Sequence, residues 1–301
     1  MPLKASIDIG TNSTRLLVVD VRADGTLNPL EQHERITKLG EGVSLHGDLH
    51  PEAMNRVIAA LVEYQRVIRD YDVDETHVLA TSATRDARNR EAFLQKIQSQ
   101  TGWTCRVLSG QEEAYLSFLG VISDFECKDF LVCDVGGGSS EFIRSAKRQI
   151  ALVKSINIGS RCLTRQFLHS NPTQPQEIAN LELFVESELK SNLRSDGGIE
   201  KIVAVGGTAA TLALIDAAWP EQQAHKVHHY ELMAENLEEI ITDLSEKSIE
   251  QRRGIIGLHP QRADIILAGT LIFQEIMKYF NKEMITVSLR DLMFGVFVEK
   301  N

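Results

Sequence analysis

The chain has 301 residues, of which 43% are hydrophobic and 25% charged. These proportions are those of a globular protein long enough for roughly two domains, and they exclude a disordered or collagen-like chain. Acidic residues outnumber basic ones, 42 to 32, which gives a net charge of −10. This balance argues against a non-specific binder of DNA, RNA or anionic membranes. Because the sequence shows neither a long apolar run nor a signal-peptide pattern, we predict a cytoplasmic protein without a membrane span.

Strand-like and helix-like segments alternate along the first part of the chain. Short apolar, β-branched runs predict strands at residues 6–9, 15–21, 77–80 and 105–108. Helical spacing of apolar residues predicts helices over residues 50–71, 86–100 and 109–121. This alternation predicts an α/β fold with helices flanking a sheet.

The second part of the chain begins again in the same style. Apolar runs predict strands at residues 130–135, 141–143, 149–156, 201–205 and 284–287. Helices are predicted near residues 159–169, 174–194, 209–217, 231–244 and 262–280, before a terminal helix. We therefore predict two domains, residues 1–125 and 126–301, with a terminal helix that can pack back on the first.

Cysteines and histidines give no pattern of a metal centre. None of the four cysteines forms a C-x-x-C pair, and reduced thiols are expected at Cys105, Cys127, Cys133 and Cys162. Three histidines lie close together in sequence, without a cysteine or carboxylate at ligand spacing: His225, His228 and His229. We predict that this histidine segment is a loop and not a zinc site.

Two turns of small and polar residues follow aspartate-containing strands at corresponding places in the two halves. The first turn follows Asp8 and consists of Gly10, Thr11, Asn12 and Ser13. The second follows Asp134, precedes Glu141 and consists of Gly136, Gly137, Gly138, Ser139 and Ser140. Glycines let backbone amides approach a ligand, and successive amides form a concavity that binds anions. One such turn is commonly a simple hairpin, whereas two in the same context favour a phosphate site, with a divalent cation bridging carboxylate and phosphate.

A third glycine turn follows an apolar strand and precedes a helix. It consists of Gly206, Gly207 and Thr208. The N-terminus of a helix favours phosphate or nucleotide contacts. The same residues are also typical of an ordinary helix start, so this turn by itself indicates little.

Two further side chains are candidates for chemistry. Ser109 and Glu112 have the spacing of a capping box, which leaves the next residue, Glu113, without a capping role. The helix dipole favours an ionised carboxylate there, which suits a base for water, although it also explains the residue by stability alone. Arg85 and Arg88 follow a predicted buried strand, where either could bind phosphate bidentately or simply be solvated.

Seven segments occur in a characteristic order: DIGTNS, ATSATRDARN, SGQEEA, DVGGGSSE, NIGS, AVGGT and GLHPQRADIILAG. With them, essentially the whole chain resembles the Ppx/GppA family of exopolyphosphatases and guanosine pentaphosphate phosphohydrolases. The resemblance implies the fold of the actin-like ATPase superfamily, in which two ribonuclease-H-like α/β domains surround a central cleft. Longer members carry extra helical C-terminal domains, and this chain resembles the short, two-domain form.

The resemblance also implies roles for the residues described above. The glycine turns at residues 10–13 and 136–140 would hold phosphate, and residues 206–208 would lie near a nucleotide. Arg85 matches a phosphate-contacting arginine, and Glu113 matches the glutamate that activates the attacking water. Carboxylates expected near Mg²⁺ or another divalent cation are Asp134, Glu141 and, as a weaker candidate, Asp8.

The implied reaction is release of terminal orthophosphate from inorganic polyphosphate, expected to be short-chain, or from guanosine pentaphosphate, which would connect the protein to the stringent response. A homodimer is left open.

The chain departs from the family pattern near its end, where it keeps Ser288 and Gly295 but has Met293 in place of an arginine. Altered ligand contacts there would suit a second hypothesis, a non-catalytic alarmone or nucleotide sensor. A third hypothesis is a kinase of the same superfold, because fold does not determine function.

Overall fold

A computed structural model describes residues 2–41, 47–125, 128–194 and 198–299, so Cys127 lies outside the described residues. The chain divides into two compact units. The first combines Met1–Ser123 with Leu292–Asn301, and the second is Asp124–Asp291. In the described parts of the chain, no helix has both the length and the hydropathy that a membrane span requires.

The first unit is built on a five-stranded sheet with the order β3-β2-β1-β4-β5. Its strands are β1 (Leu3–Ile9), β2 (Ser13–Val21), β3 (Leu27–Ile36), β4 (Glu75–Ala80) and β5 (Cys105–Val107). Strands β1, β4 and β5 are parallel, and β2 runs antiparallel to both β1 and β3. The helices of this unit are α1 (Pro51–Asp70), α2 (Ser82–Arg85), α3 (Arg90–Thr101), α4 (Gly110–Ile122) and the terminal α11 (Leu292–Val298).

The second unit is built on a six-stranded sheet with the order β10-β11-β9-β6-β7-β8. Its strands are β6 (Phe130–Val135), β7 (Ser140–Ala146), β8 (Gln149–Ile156), β9 (Lys201–Val205), β10 (Glu231–Met233) and β11 (Met284–Val287). Its α-helices are α5 (Ser160–Phe167), α6 (Pro175–Asn192), α7 (Gly206–Asp216), α8 (Ala234–Glu246), α9 (Ile249–Arg252) and α10 (Ile266–Tyr279). Short 3₁₀ helices lie at Glu221–Val227 and Pro260–Arg262.

Both sheets have the same topology. In the second unit β8-β7-β6-β9-β11 repeats the order β3-β2-β1-β4-β5 of the first, and β10 adds one antiparallel edge strand. In each, a three-stranded antiparallel meander continues into two parallel strands, which is the ribonuclease-H-like arrangement. The predicted α/β fold with two such domains is confirmed.

Each unit has its own apolar core. In the first, alternate residues of β1 meet the apolar face of α1, where Val57, Leu61 and Tyr64 are fully buried. In the second, the core centres on α10, which is buried from Ile266 to Met277 on all its faces. Helix α10 therefore lies inside the second unit, among the other helices.

Two strands and one helix are among the elements at which the structure differs from the sequence prediction. Strand β3 was not predicted because it is an edge strand with mostly polar residues, and its Pro29 lies at a bulge, a position where sheets tolerate proline. Residues 231–233 were predicted as the start of a helix, but they pair with β11. The helix predicted from residue 86 begins at Arg90, after the separate turn of helix α2.

Candidate active site

In the first unit, three parallel strands end at the same edge of the sheet. The amide of Thr81, after β4, donates to the Ile9 carbonyl at 3.2 Å, and the amide of Leu108, after β5, donates to the Ala80 carbonyl at 2.9 Å. The residues that follow β1, β4 and β5 are therefore neighbours. They are the 10–13 turn, helix α2 with Arg85, and the first turn of α4 with Glu113. Such an edge is the usual ligand-binding side of an α/β sheet.

The 10–13 turn has a defined amide orientation. The Gly10 amide donates to the Ser13 carbonyl at 2.9 Å and so closes the turn. The carbonyls of Thr11 and Asn12 accept amides of the segment 37–40 at 2.8 to 3.0 Å. Because the C=O of one residue and the N–H of the next point in opposite directions in a planar peptide, the amides of Asn12 and Ser13 point away from that segment. These two amides have the orientation that an anion site needs.

Glu113 and Arg85 form a partly buried ion pair. An Arg85 Nη1 hydrogen is donated to Glu113 Oε2 at 3.0 Å and to the Leu108 carbonyl at 3.2 Å. Glu113 is only 7% exposed. The predicted capping box is confirmed: Ser109 and Glu112 satisfy each other's backbone amides. Glu112 therefore caps α4, while the Glu113 carboxylate turns inward to the arginine.

Two other contacts show how helix α2 and Arg88 are placed relative to this turn. The Thr11 and Ser82 hydroxyls lie 2.7 Å apart, which connects the 10–13 turn to helix α2. Arg88, by contrast, pairs with Asp48 at 2.9 Å and its side chain is 71% exposed. Of the two arginines that the sequence left as alternatives, Arg85 is the one that meets Glu113.

The 136–140 turn of the second unit is closed by the same hydrogen bond as the first. The Gly136 amide donates to the Ser139 carbonyl at 3.0 Å. The carbonyls of Gly136 and Gly137 accept amides from the first turn of α5 at 2.9 to 3.1 Å. By the same peptide geometry, the amides of Gly137 and Gly138 point away from α5. Both turns thus present two consecutive amides, which in the second turn lie one position earlier than in the first.

The segment before α5 supports this second turn from behind. A methyl group at Gly159 would overlap the backbone of Gly137 and Gly138, so only glycine allows the close approach. The Ser140 hydroxyl donates to the Ile158 carbonyl at 2.6 Å. That hydroxyl hydrogen therefore holds the segment in place.

The carboxylates of the two units have different cross-strand partners. Asp134 and Glu141 lie directly opposite each other on β6 and β7 and are 8% and 1% exposed. The Ser155 hydroxyl donates to Glu141 at 2.6 Å. The corresponding pair in the first unit is Asp8 and Arg15, joined at 2.7 Å. Like charges opposite each other repel, and buried carboxylate oxygens are ligands for hard divalent cations, so the donor set at Asp134 and Glu141 fits such a cation. Asp8 fits less well because it already contacts a guanidinium group.

The glycine turn at residues 206–208 lies against Asp134. Gly206 has a φ of +84°, and a methyl group there would overlap Asp134 Oδ1. The Thr208 hydroxyl donates to the Val135 carbonyl at 2.8 Å. The N-terminus of α7 is therefore fixed to the end of β6, next to the carboxylate pair.

Two arginines near these turns escaped the sequence analysis. Arg15 could have been found, since it stands seven residues after Asp8 just as Glu141 stands seven after Asp134. Arg262 is 6% exposed, and a methyl group at Gly207 would overlap its guanidinium group. It arrives from the distant 3₁₀ helix before α10, so no local pattern connects it to the glycine turn.

The histidine segment has a carboxylate partner that the sequence did not indicate. Asp124 Oδ2 lies 2.5 Å from His228 Nε2 and 3.1 Å from His229 Nε2. The Leu289 amide donates to His228 Nδ1 at 3.2 Å. A ring that accepts at Nδ1 carries its proton on Nε2, where a metal would have to bind, and Arg290 lies 3.7 Å from the same Asp124 oxygen. These contacts favour a hydrogen-bonded network over a metal site.

This network predicts a pH dependence of stability. Burial lowers the pKa of His228 below its ordinary 6.5, more than the Asp124 hydrogen bond raises it. His228 is therefore protonated more readily in the unfolded chain than in the folded chain. As a result, the free energy of unfolding falls as the pH drops below about 6.5. His228→Gln should reduce this fall in urea unfolding at pH 7.5, 6.0 and 5.0. The exposed His225, replaced in the same way, is the control, and an unchanged pH dependence in His228→Gln would contradict the prediction.

Several known proteins are similar to this chain in sequence. The sequence model described as the Ppx/GppA phosphatase family matches residues 17–301. The bifunctional 3-dehydroquinate synthase/phosphatase of Fusobacterium nucleatum is 35% identical over 99% of this chain, which spans 46% of that relative's length. Exopolyphosphatase 2 of Mycobacterium tuberculosis is 31% identical, with 97% of this chain and 96% of the relative covered.

Solved structures give the same result for the fold. The crystal structure of the Aquifex aeolicus member of the Ppx/GppA family superimposes with a TM-score of 0.82 at 30% identity, covering 99% of this chain and 96% of the other. Sequence and fold therefore agree over nearly the whole chain, and the protein belongs to the Ppx/GppA phosphatase family.

Proposed function

We propose that this protein hydrolyses a terminal phosphoanhydride bond and releases orthophosphate from inorganic polyphosphate. The observation that carries the proposal is the buried Glu113 carboxylate, held by Arg85 at the same sheet edge as the 10–13 turn. The Glu113 carboxylate, the Arg85 guanidinium group and the outward-pointing amides of the 10–13 turn lie together at this sheet edge. They are the groups that hydrolysis of a phosphoanhydride needs.

In this proposal each group has one role. Glu113 orients the attacking water and accepts its proton. Arg85 holds Glu113 in place and contacts the phosphoryl oxygens. The amides of Asn12 and Ser13, and those of Gly137 and Gly138 in the second unit, donate to phosphate oxygens. Phosphoryl transfer depends mainly on positioning and charge stabilisation, so these roles account for most of the catalysis.

Asp134 and Glu141 are the proposed ligands of a divalent cation, with Mg²⁺ as the first candidate because it prefers carboxylate oxygens together with substrate phosphates. When bound, such an ion supplies positive charge against the phosphates. Gly206 is part of this proposal, since its missing side chain is what leaves room for Asp134. A nucleotide, if the substrate carries one, would lie near Gly207 and Thr208.

Substrate preference is the part of the proposal that needs measurement first. We expect short polyphosphate to be preferred, because a chain of net charge −10 disfavours broad electrostatic capture of a long polyanion. Phosphate release should be compared for tripolyphosphate, long-chain polyphosphate and guanosine pentaphosphate, each with Mg²⁺ and with EDTA. We expect the highest kcat/KM with tripolyphosphate and no release with EDTA. A clear preference for guanosine pentaphosphate would assign the protein to alarmone hydrolysis instead.

The same assay separates the other hypotheses. Tight binding of guanosine pentaphosphate without any phosphate release would identify a sensor. ATP-dependent phosphorylation of an acceptor would identify a kinase. The Glu113–Arg85 pair favours an enzyme over the sensor, because binding alone does not require a general base.

A further inference from the structure

The terminal helix α11 lies directly against α4, the helix that carries Glu113. Gly295, which is buried, is at the point of contact. A methyl group at this position would overlap the Leu116 carbonyl oxygen, lie 2.6 Å from its carbon and 3.1 Å from the Gly120 amide nitrogen. The two helix backbones thus touch without an intervening side chain, and any residue larger than glycine must push them apart.

The contacted carbonyl is one turn away from Glu113. Leu116 follows Glu113 by three residues on the same helix, so it lies on the next turn. A helix moves as a stiff element, and a displacement at Leu116 therefore moves Glu113 too. The quantity that changes is the separation of Glu113 Oε2 from Arg85 Nη1, now 3.0 Å. Arg85 is also held at the sheet edge, because it donates to the carbonyl of Leu108, whose own amide donates to Ala80 at the end of β4 at 2.9 Å.

Helix α11 is itself fixed to the central strand of the first sheet. The buried Ser6 hydroxyl on β1 donates to the Met293 carbonyl at 2.8 Å. Strand β1 leads three residues later into the 10–13 turn. Through Ser6, Met293 and Gly295, the strand that precedes the phosphate turn is therefore connected to the helix that carries the base.

We propose that Gly295 is a positioning residue for Glu113: its close backbone contact with α4 sets the distance between the Glu113 carboxylate and Arg85. This inference rests on the proposed function for its kinetic consequence, but the geometry it describes does not depend on catalysis. Errors of about 1 Å in the placement of a catalytic group can cost ~10²-fold in rate. Gly295 therefore affects turnover although it touches neither substrate nor cation.

The test is Gly295→Ala in the full chain, measured in two ways. The titration of the Glu113 carboxyl carbon is followed by NMR in protein labelled with ¹³C-glutamate, with the signal assigned from its absence in Glu113→Gln. Because Arg85 favours the ionised carboxylate, we expect the Glu113 midpoint to move to higher pH in Gly295→Ala. In the rate measurement, kcat for tripolyphosphate should fall by ~10–10²-fold at nearly constant KM. The acidic limb of the pH–rate profile should shift in the same direction as the NMR midpoint.

Gly254→Ala is the matched control, since a methyl group at Gly254 meets only the Gln251 carbonyl, at an ordinary 3.5 Å. It should leave both measurements unchanged. Ser6→Ala tests the same connection without added bulk, and we expect a smaller shift of the Glu113 midpoint in the same direction. It also provides the measurement if Gly295→Ala does not fold.

The outcomes separate the inference from the proposed function. An unchanged Glu113 midpoint in folded Gly295→Ala and Ser6→Ala would overturn the positioning role. A fall in kcat that is proportional to the loss of folded protein, with an unchanged pH–rate profile, would also overturn it. If the wild-type protein releases no phosphate, the proposed function fails, while the NMR titration still decides whether Gly295 positions Glu113.

Discussion

Replacing Glu113 with glutamine is expected to lower phosphate release by ~10²–10⁴-fold while tripolyphosphate binding persists. Glutamine has the shape of glutamate and its amide oxygen can still accept the Arg85 hydrogen bond, but it cannot take a proton from water. The loss should therefore appear in kcat, with little change in substrate affinity. Phosphate release gives kcat, and calorimetry with tripolyphosphate gives the dissociation constant of the variant.

The neighbouring Glu112 offers a matched control. Its pKa is lowered to about 2, first by the hydrogen bond from the Ser109 backbone and then by Arg106, as suits a helix-capping carboxylate. Glutamine can serve at the same position of a capping box, so Glu112→Gln should keep nearly wild-type turnover. Wild-type turnover in a correctly folded Glu113→Gln protein would show that another group activates the water.

The second large effect is expected at the carboxylate pair of the other unit. Asp134→Asn should lower kcat by at least ~10²-fold, because it removes a charged ligand where positive charge must be held against the phosphates. The same variant should bind Mn²⁺, used as a spectroscopic probe, much more weakly in electron paramagnetic resonance titrations. Binding and rate should be restored together, in part, by raising the metal concentration.

Asp216 provides the control for this change. It lies in the same unit, where its carboxylate accepts from Tyr230 at 2.8 Å and from Asn236 at 2.7 Å. Asp216→Asn should change neither metal binding nor rate. Gly206→Ala tests the proposed role of Asp134 in a second way, because the added methyl group would displace the Asp134 carboxylate. If Asp134→Asn retained wild-type Mn²⁺ binding, the cation ligands would have to be sought elsewhere.

Much of the fold could be predicted because its signals are local. Buried strands such as β6 consist of continuous apolar residues, and long helices such as α1 show a clear apolar face. Strand β3 gave no such signal, because its exposed edge carries mostly polar residues and its pairing depends on β2. Strand β10 was misassigned for the same reason: three residues become a strand only through their partner, β11.

In the candidate site, too, features set by neighbouring residues could be predicted, and features set by long-range contacts could not. The composition of the glycine turns and the capping role of Glu112 could be predicted, since both depend on residues within a few positions of each other. The direction of the turn amides could not, because segment 37–40 and helix α5 determine it through contacts at longer range. The pairing of Glu113 with Arg85 joins residues 28 positions apart. Tertiary contact decides which of several polar residues face one another, and a single sequence does not record it.

The discontinuous first unit has a consequence for biosynthesis. Residues 124–291 form one unit from a single stretch of chain, whereas the other unit needs α11, which is translated after all of them. On the ribosome, the second unit can therefore fold while the first still lacks the helix that packs on α4. A nascent chain halted before residue 292 would hold a complete second unit and an N-terminal segment whose helix α4 still lacks its contact with α11. The contact of Gly295 with α4 can therefore form only after residues 124–291 have been translated.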